Sequence, residues 1–354
     1  MGIRPGATGS GGGGQSAALY NDRMLKIGPL ALESQVILAP MCGVSDLPYL
    51  RLLRRFDPRS LVFHEMFSAV GLLHWKNQPR FEVPQDLRPI GLQLFGHDPG
   101  AMAEAAIVLA EGGCDVIDVN LGCPVPKVAK NCDGSALLKD TPRLSRILDA
   151  MVRAVGDRVP VSIKMRLGWD DEQRNYLEVA RIAEAAGVSM ITVHGRTRSQ
   201  MYAGTADWGA IAQVAAAVRV PVVGNGDVCD PLTAARRLRE SGCSGVMIGR
   251  GAQGNPWLVP RIDQYLRTGR LPPEPPAAER LQVARDHCRM LIEEKGERAG
   301  VAESRKHVAW YTRGLPGSAE LRHVVNSTRT AAELYLALDA YLDNLSAIDA
   351  NVVA

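Results

Sequence analysis

This chain of 354 residues has no cysteine pairing motif: none of its seven cysteines stands as Cys-x-x-Cys, and seven is an odd number. That argues against a disulfide framework and against a zinc ribbon or finger, and it fits reduced thiols in a cytoplasmic protein. The His and Cys residues are scattered, with no two at ligand spacing, so no metal is expected. No apolar run reaches the roughly 18 uninterrupted residues that a membrane span needs. The first 23 residues are rich in Gly and Ser and lack the apolar core of a secretory signal, so they read as a flexible tail. Net charge is also scarce: 41 basic against 38 acidic residues leave +3, too little to imply nucleic acid from the total. What remains is a soluble chain, 46% hydrophobic, long enough to bury roughly 75% of its unfolded surface without staples.

Short apolar, branched runs recur at near-regular intervals. They are VILAP (36–40), LVFHEM (61–66), IGLQLF (90–95), VIDVNL (116–121), VSIKM (161–165), MITVHG (190–195), VPVVGNG (220–226) and GVMIG (245–249). Their starts lie 25, 29, 26, 45, 29, 30 and 25 residues apart. Such runs suit strands buried on both faces, and the intervening segments carry helical patterning. Asp98-Pro99, Thr141-Pro142 and Asp230-Pro231 read as cap-plus-proline helix starts. Eight strand–helix units predict an α/β fold, a (β/α)8 TIM barrel over residues 24–270; a doubly wound open sheet seldom repeats so evenly. The one long interval holds a polar loop, GCPVPKVAKNCDGSALLKD (122–140), and loops of that length are usually functional. A proline-rich linker (269–280) follows the barrel. Beyond it the pattern is wholly helical, with two helices read in 278–296 and 303–314, predicting a small helical bundle over residues 271–354.

Active sites of such barrels sit at the C-terminal strand ends. Those ends carry Pro40, Met41, Glu65, Gln93, Asn120 to Cys123, Lys164, Arg166, His194, Arg196, Asn225 to Asp227, Gly249 and Arg250. Each alone has a plain structural reading as a satisfied polar group or a loop cap; the set does not. The glycines of GNGD and GRGAQG, after strands seven and eight, let backbone N–H groups approach an anion, and Arg250 adds a forked donor, so a phosphate site is expected there. Lys164, His194 and Gln93 offer donors for a planar, electron-accepting heterocycle such as a flavin. Lys164 also suits an ion pair with an interior carboxylate, and His194 an ordinary hydrogen-bonded role. Cys123 lies just past a strand in Asn-Leu-Gly-Cys-Pro. A free thiol, with a pKa near ~8.5, is mostly protonated at neutral pH and can donate a proton, although most free cysteines are small buried hydrophobes.

The motifs LAPMCGVSD (38–46), LQLFG (92–96), DVNLGCPVPKV (118–128), IKMRLGW (163–169), HGRTRSQMY (194–202), GNGDV (224–228) and MIGRGAQGNPW (247–257) resemble, in order, those of the tRNA-dihydrouridine synthases. RKHVAWY (305–311) looks most like the bacterial B-type members. The resemblance covers residues 27 to 345. It implies FMN in the barrel, NADPH as reductant and a helical tRNA-binding domain. By the same resemblance Cys123 is the proton donor. Pro40, Met41, Cys42, Gln93, Lys164, His194, Asn225, Gly226, Asp227, Gly249 and Arg250 would be flavin contacts. Asn120, Arg166 and Tyr202 would be uracil contacts. Cys42 stands where the family often has Ala, and Asn131-Cys132-Asp133 makes the active loop more polar than usual, which bears on substrate choice.

The expected reaction reduces the C5=C6 bond of specific tRNA uridines: hydride goes to C6 and an acid protonates C5. A base in folded RNA must leave its stack to reach a barrel mouth, so a phosphate-gripping surface is needed. Residues 304–329 hold Arg305, Lys306, Arg313, Arg322 and Arg329 against Glu320, with His307, Trp310 and Tyr311 interleaved. Arg305, Lys306 and His307 are taken as RNA contacts. The same residues also suit a packed Trp310 and a solvated arginine face, since residues 271–354 carry ten basic and twelve acidic residues in all. Two rivals stand beside this reading. One is a flavin barrel acting on free pyrimidines; the other is an RNA-binding or RNA-folding protein with a vestigial flavin site. A monomer with no membrane partner is expected.

Overall fold

The computed structural model describes residues 24–74, 82–124 and 133–353, with side chains placed through 345. The described chain enters through a hairpin, β1 (Leu25–Ile27) and β2 (Leu30–Leu32), turned at Gly28. Parallel strands follow: β3 (Val36–Leu38), β4 (Leu61–Phe63), a two-residue β5 (Phe67–Ser68), β6 (Ile90–Phe95), β7 (Val116–Leu121), β8 (Val161–Arg166), β9 (Met190–His194), β10 (Val222–Asn225) and β11 (Gly245–Ile248). Pairing of β11 with β3 and of β4 with β6 closes eight of them into a barrel, while β5 extends the pairing of β6.

Period-two alternation sorts the strand residues between two cores. Ile37, Leu61, Phe63, Val116, Met190, Val223 and Met247 point into the barrel, where Leu25, Ile27 and Leu32 of the hairpin join them. Gly28 lies against Pro160 and Ser189, which precede β8 and β9, so the hairpin plugs the N-terminal face. Each of its three buried aliphatic side chains contributes about 1.5–3 kcal/mol. Val36, Leu38, Val62, Ile117 and Ile163 point outward into the larger core under the helices.

Those helices are α1 (Leu47–Arg54), α2 (Ala69–His74), α3 (Pro99–Glu111), α4 (Thr141–Val155), α5 (Tyr176–Ala185), α6 (Trp208–Ala217), α7 (Pro231–Ser241) and α8 (Leu258–Thr268). Asp98 and Asp230 cap α3 and α7 as their sequence suggests. The cap of α4 is Asp140, not Thr141: the Asp140 carboxylate accepts from the Arg143 N–H at 3.1 Å, while the Thr141 hydroxyl donates to Glu178 at 2.9 Å. An acceptor side chain one residue earlier reaches the third helical N–H, which Thr141 at the first helical position does not.

Four further helices, α9 (Ala277–Lys295), α10 (Glu297–Tyr311), α11 (Ser318–Ser327) and α12 (Ala331–Val353), share their own core around Leu281, Cys288, Val308, Leu321, Val325 and Leu334. The second helix read from sequence begins six residues earlier than expected, at Glu297, and two more follow it. Leu52, Trp257, Val283, Ala284 and Tyr311 join these helices to the barrel. The Lys295 ammonium spans the same junction, 2.5 Å from Asp46 and 2.7 Å from Glu303. Gly254 permits the closest approach: a Cβ there would sit 2.4 Å from the Trp310 carbonyl carbon, and its φ of +65° is left-handed. Among the described residues no helix is long and apolar enough to cross a membrane.

Candidate functional site

A cavity of about 1070 Å³ opens at the C-terminal ends of the strands. Every barrel residue expected to contact flavin or uracil or to donate the proton lines it: Pro40, Met41, Cys42, Gln93, Asn120, Cys123, Lys164, Arg166, His194, Tyr202, Asn225, Gly226, Asp227, Gly249 and Arg250. Of the other strand-end candidates, Glu65 accepts from the Gly43 N–H and Arg196 is buried behind the wall. Glu274, Pro275, Arg280, Trp310 and Arg313, from the linker and helices, form one wall. The volume is at the upper end for a small-molecule site, with room beyond one ligand.

Lys164 projects from β8, and its ammonium has no hydrogen bond or ion pair among the described residues. Burial, then the neighbouring Arg166 charge, pull it down to about 8, against the attraction of Asp118. A half-buried donor with no partner among the described residues, facing a cavity, fits a ligand acceptor. His194 is driven far below the ordinary histidine range by burial and by the positive charges of Lys164, Arg166, Arg196 and Arg250, so the ring is neutral. Its Nε2 lies 3.4 Å from an Arg196 N–H and can only accept there, which leaves the proton on Nδ1.

Arg196 organises the opposite wall. Fully buried, it donates to the Ala203 and Gly204 carbonyls and grips both Asp227 oxygens at 2.7 and 2.9 Å. Although burial works against it, the Ala206 N–H and Arg196 hold the Asp227 carboxyl below its usual range. That carboxylate is committed, so what residue 227 offers an anion is its backbone, in a left-handed turn at φ +53°. Gly226 beside it is required, since a Cβ would stand 2.6 Å from that of Ala206. Arg250 adds positive charge above Tyr202, 4.3 Å from its ring, and Arg166 approaches the same ring at 5.5 Å.

Cys123 is half-buried and held at both ends of its backbone. Its N–H donates to Asn120 Oδ1 at 2.8 Å, and its carbonyl accepts from the Ser135 hydroxyl at 2.8 Å. Arg166 ties the preceding Gly122 carbonyl to the loop after β9, at 2.8 Å to Gly122 and 2.9 Å to Thr197. The Asn120 amide is occupied: Oδ1 also takes the Gly122 N–H, and Nδ2 donates to Gln93 Oε1 at 2.6 Å and lies 3.5 Å from Met66 Sδ. The thioether is a weak acceptor, so that second Nδ2 hydrogen is what Asn120 has left for a substrate. Asn131 and Cys132 lie outside the described residues, and Asp133 accepts from His97 at 2.8 Å.

The three helical residues expected to touch RNA do not line the cavity. His307 is only 1% exposed, packed edge-on against His287 at 4.4 Å and Trp310 at 5.1 Å, so an RNA on the surface does not reach it. The helical face that sequence assigns to RNA turns it inward, because α10 packs that stripe against α9. Arg305 donates to the Thr328 carbonyl at 2.7 Å, and Lys306 pairs with Glu303 at 2.8 Å beside Gly43. Tyr311 is buried as well. Trp310 and Arg313 reach the cavity instead, on a helix end that Arg280 fastens by donating to the Tyr311 and Arg313 carbonyls. Asp118 opens the DVNLGCPVPKV motif, yet the sequence gives it no role; its own signal is an acid in the middle of an apolar strand, two residues before Asn120.

Comparison with known proteins gives the family. Residues 37–348 match the family described as dihydrouridine synthase. A probable tRNA-dihydrouridine synthase of Rickettsia bellii is 44% identical over 306 residues, 86% of this chain and 93% of that protein. The tRNA-dihydrouridine synthase B of Xanthomonas campestris is 42% identical over 327 residues, covering 91% and 97%. That of Pseudomonas aeruginosa is 42% identical over 304 residues, covering 86% and 91%. Among solved structures, histamine dehydrogenase from Rhizobium shares the fold with a TM-score of 0.54 at 14% identity, over 76% of this chain and 50% of that one. The match spans the barrel and the helices behind the cavity, and the chain belongs to the dihydrouridine synthase family.

Proposed function

We propose that this protein is an oxidoreductase that reduces the C5=C6 bond of uridine in tRNA to 5,6-dihydrouridine, using FMN in the barrel and NADPH as reductant. The observation that carries the reading is the pairing of a backbone-clamped thiol, Cys123, with an ammonium, Lys164, that has no partner among the described residues, in one cavity. The residues present fit a flavin mononucleotide. Lys164 and Gln93 supply donors for ring acceptors, while Gly226, Gly249 and Arg250 form a cradle of free backbone and positive charge for a phosphate. Pro40, Met41, Cys42, His194, Asn225 and the backbone of Asp227 complete the walls of that site. When bound, the reduced flavin supplies the hydride that adds to uracil C6.

The chain's own residues do the rest. Cys123 holds at Sγ the proton that C5 requires, and acid assistance of this kind contributes about 10²–10⁴ in rate. Arg166 keeps part of its guanidinium free beside Tyr202, and with the remaining Asn120 N–H it orients the uracil and stabilises charge building on O4. Trp310 and Arg313, across the cavity, suit a stacked base and a phosphate of the RNA that delivers the uridine. The free-pyrimidine alternative leaves that wall without a use. The protein acts as a monomer in the cytoplasm, where tRNA is available.

The test is dihydrouridine formation in unmodified tRNA, followed by mass spectrometry. Cys123→Ala is expected to keep its flavin and its reduction by NADPH while losing most product. Full activity in that variant would remove the role given to Cys123, and a colourless wild-type protein after reconstitution with FMN would remove the reading.

A further inference from the structure

Strands β6, β7 and β8 bring Gln93, Asp118 and Ser162 side by side in one inward layer, paired in register as Gln93↔Asp118 and Asp118↔Ser162. All three are buried, and Asp118 is 1% exposed. Asp118 Oδ2 accepts from Gln93 Nε2 at 2.6 Å and Oδ1 accepts from the Ser162 hydroxyl at 2.6 Å. Asn120, two residues along the same strand and on the same face, receives the chain's next bond: its Nδ2 donates to Gln93 Oε1 at 2.6 Å. Asn120 Oδ1 then accepts the N–H groups of Gly122 and Cys123 at 3.1 and 2.8 Å.

The direction of every bond in this series is fixed from its ends. Backbone N–H groups only donate, so Asn120 must turn its oxygen to them and its nitrogen to Gln93. Gln93 must then answer with its oxygen, which leaves its nitrogen facing Asp118. An acceptor is obligatory there. Take it away, and Gln93 loses one of the two bonds that orient it and keeps only the one from Asn120; when it turns over, two amide nitrogens face each other, Asn120 turns in response, and the Cys123 N–H loses its partner.

We infer that Asp118 is a positioning residue for Cys123: acting through Gln93 and Asn120, it sets which way two amides face and so holds the backbone that carries the thiol. Asp118 does not itself line the cavity; it meets the site through Gln93. The inference rests on the acid role proposed above for Cys123, because holding that backbone matters to the reaction only if the thiol delivers the proton. A misplacement of about 1 Å at a reacting group costs on the order of 10²-fold in rate, which sets the size of the effect.

The test compares the flavin-loaded wild type with Asp118→Leu, Asp118→Ala and Asp118→Asn. Asn keeps an acceptor toward Gln93, provided the Ser162 hydroxyl turns round to accept from its amide. Leu and Ala keep none, and Ala adds no bulk, so it decides the matter if the Leu variant does not fold. Three quantities are read: flavin reduction by NADPH, single-turnover reoxidation by unmodified tRNA, and hydrogen exchange at the Gly122 and Cys123 amides. Leu and Ala are expected to slow reoxidation by about 10–100-fold and to speed exchange at those two amides at least about 10-fold. Flavin content and its reduction should stay within about 3-fold, and Asn should resemble the wild type in all three.

Normal reoxidation with unchanged exchange in the Leu or Ala variant would overturn the inference. So would an Asn variant as impaired as Leu, which would point to the charge beside Lys164, and so would loss of flavin from Leu and Ala alike. If wild-type protein itself is not reoxidised by tRNA, the proposed function fails separately. The exchange measurement then still decides whether Asp118 holds the Cys123 backbone.

Discussion

Lys164 is held in the fold at a cost, and replacing it should show that cost. Its ammonium titrates near 8 instead of near 10.5, burial being the main cause and the Arg166 charge the next. That depression corresponds to a ceiling of about 3 kcal/mol. Lys164→Met keeps the length of the stem and removes the charge. Because Asp118 then loses a neighbouring cation, and burial already lifts its carboxyl to about 6, the net gain at pH 7 should be about 1–2 kcal/mol. The sign follows from proton counts. Between pH 8 and 10.5 the unfolded chain holds a proton on Lys164 that the folded chain has released, so wild-type stability climbs through that window. The penalty is therefore complete below about pH 8 and gone by about pH 10.5. Urea midpoints of the flavin-free proteins at pH 7 and pH 10 measure this, with the variant ahead at pH 7 and the gap closing at pH 10. The same variant should bind FMN at least about tenfold more weakly, as expected of a site that gives up stability for function. A variant less stable than wild type at pH 7, or a gap indifferent to pH, would refute the reasoning.

Two further perturbations probe the cavity from other sides. Arg196→Met takes the buried cation from Asp227 and the donors from two carbonyls; since Asp227 keeps 32% of its side chain exposed, the Ala206 N–H at 2.7 Å and Arg250 at 3.5 Å, the loss should be about 2 kcal/mol, below the range for a broken, fully buried pair. A loss below about 1 kcal/mol by urea denaturation would mean that Arg196 does not organise that wall. Trp310→Ala and Arg313→Ala should each raise KM for tRNA about tenfold or more while NADPH oxidation by a small dye stays within about twofold. Arg313→Ala should also reduce the salt dependence of tRNA binding by about one counterion, and an unchanged slope would detach Arg313 from the RNA.

The barrel is legible in the sequence because parallel strands buried on both faces must read as short apolar runs; all eight expected runs overlap one of the observed strands. The hairpin that plugs its base is not legible, since LKI and LAL are three residues each and owe their conformation to the barrel interior they fill. Strand ends name the cavity residues well, because position along a barrel strand fixes depth. They do not reveal commitment: Asp227 carries a motif, yet its carboxylate belongs to Arg196 and Ala206. In the helices, charge pattern alone misplaces His307, whose stripe packs on α9, whereas Trp310 gains its exposure to the cavity from the approach that Gly254 allows. Asp118 shows the same limit from the other direction, an acid whose meaning comes only from the neighbours that register supplies.

The most direct measurement of the central claim is the anaerobic absorption spectrum of the FMN-loaded protein through one cycle. NADPH should bleach the flavin bands, and unmodified tRNA should restore them rapidly while free uridine should not. Rapid restoration by free uridine would place the protein among reductases of small pyrimidines, and no restoration by tRNA would contradict the account.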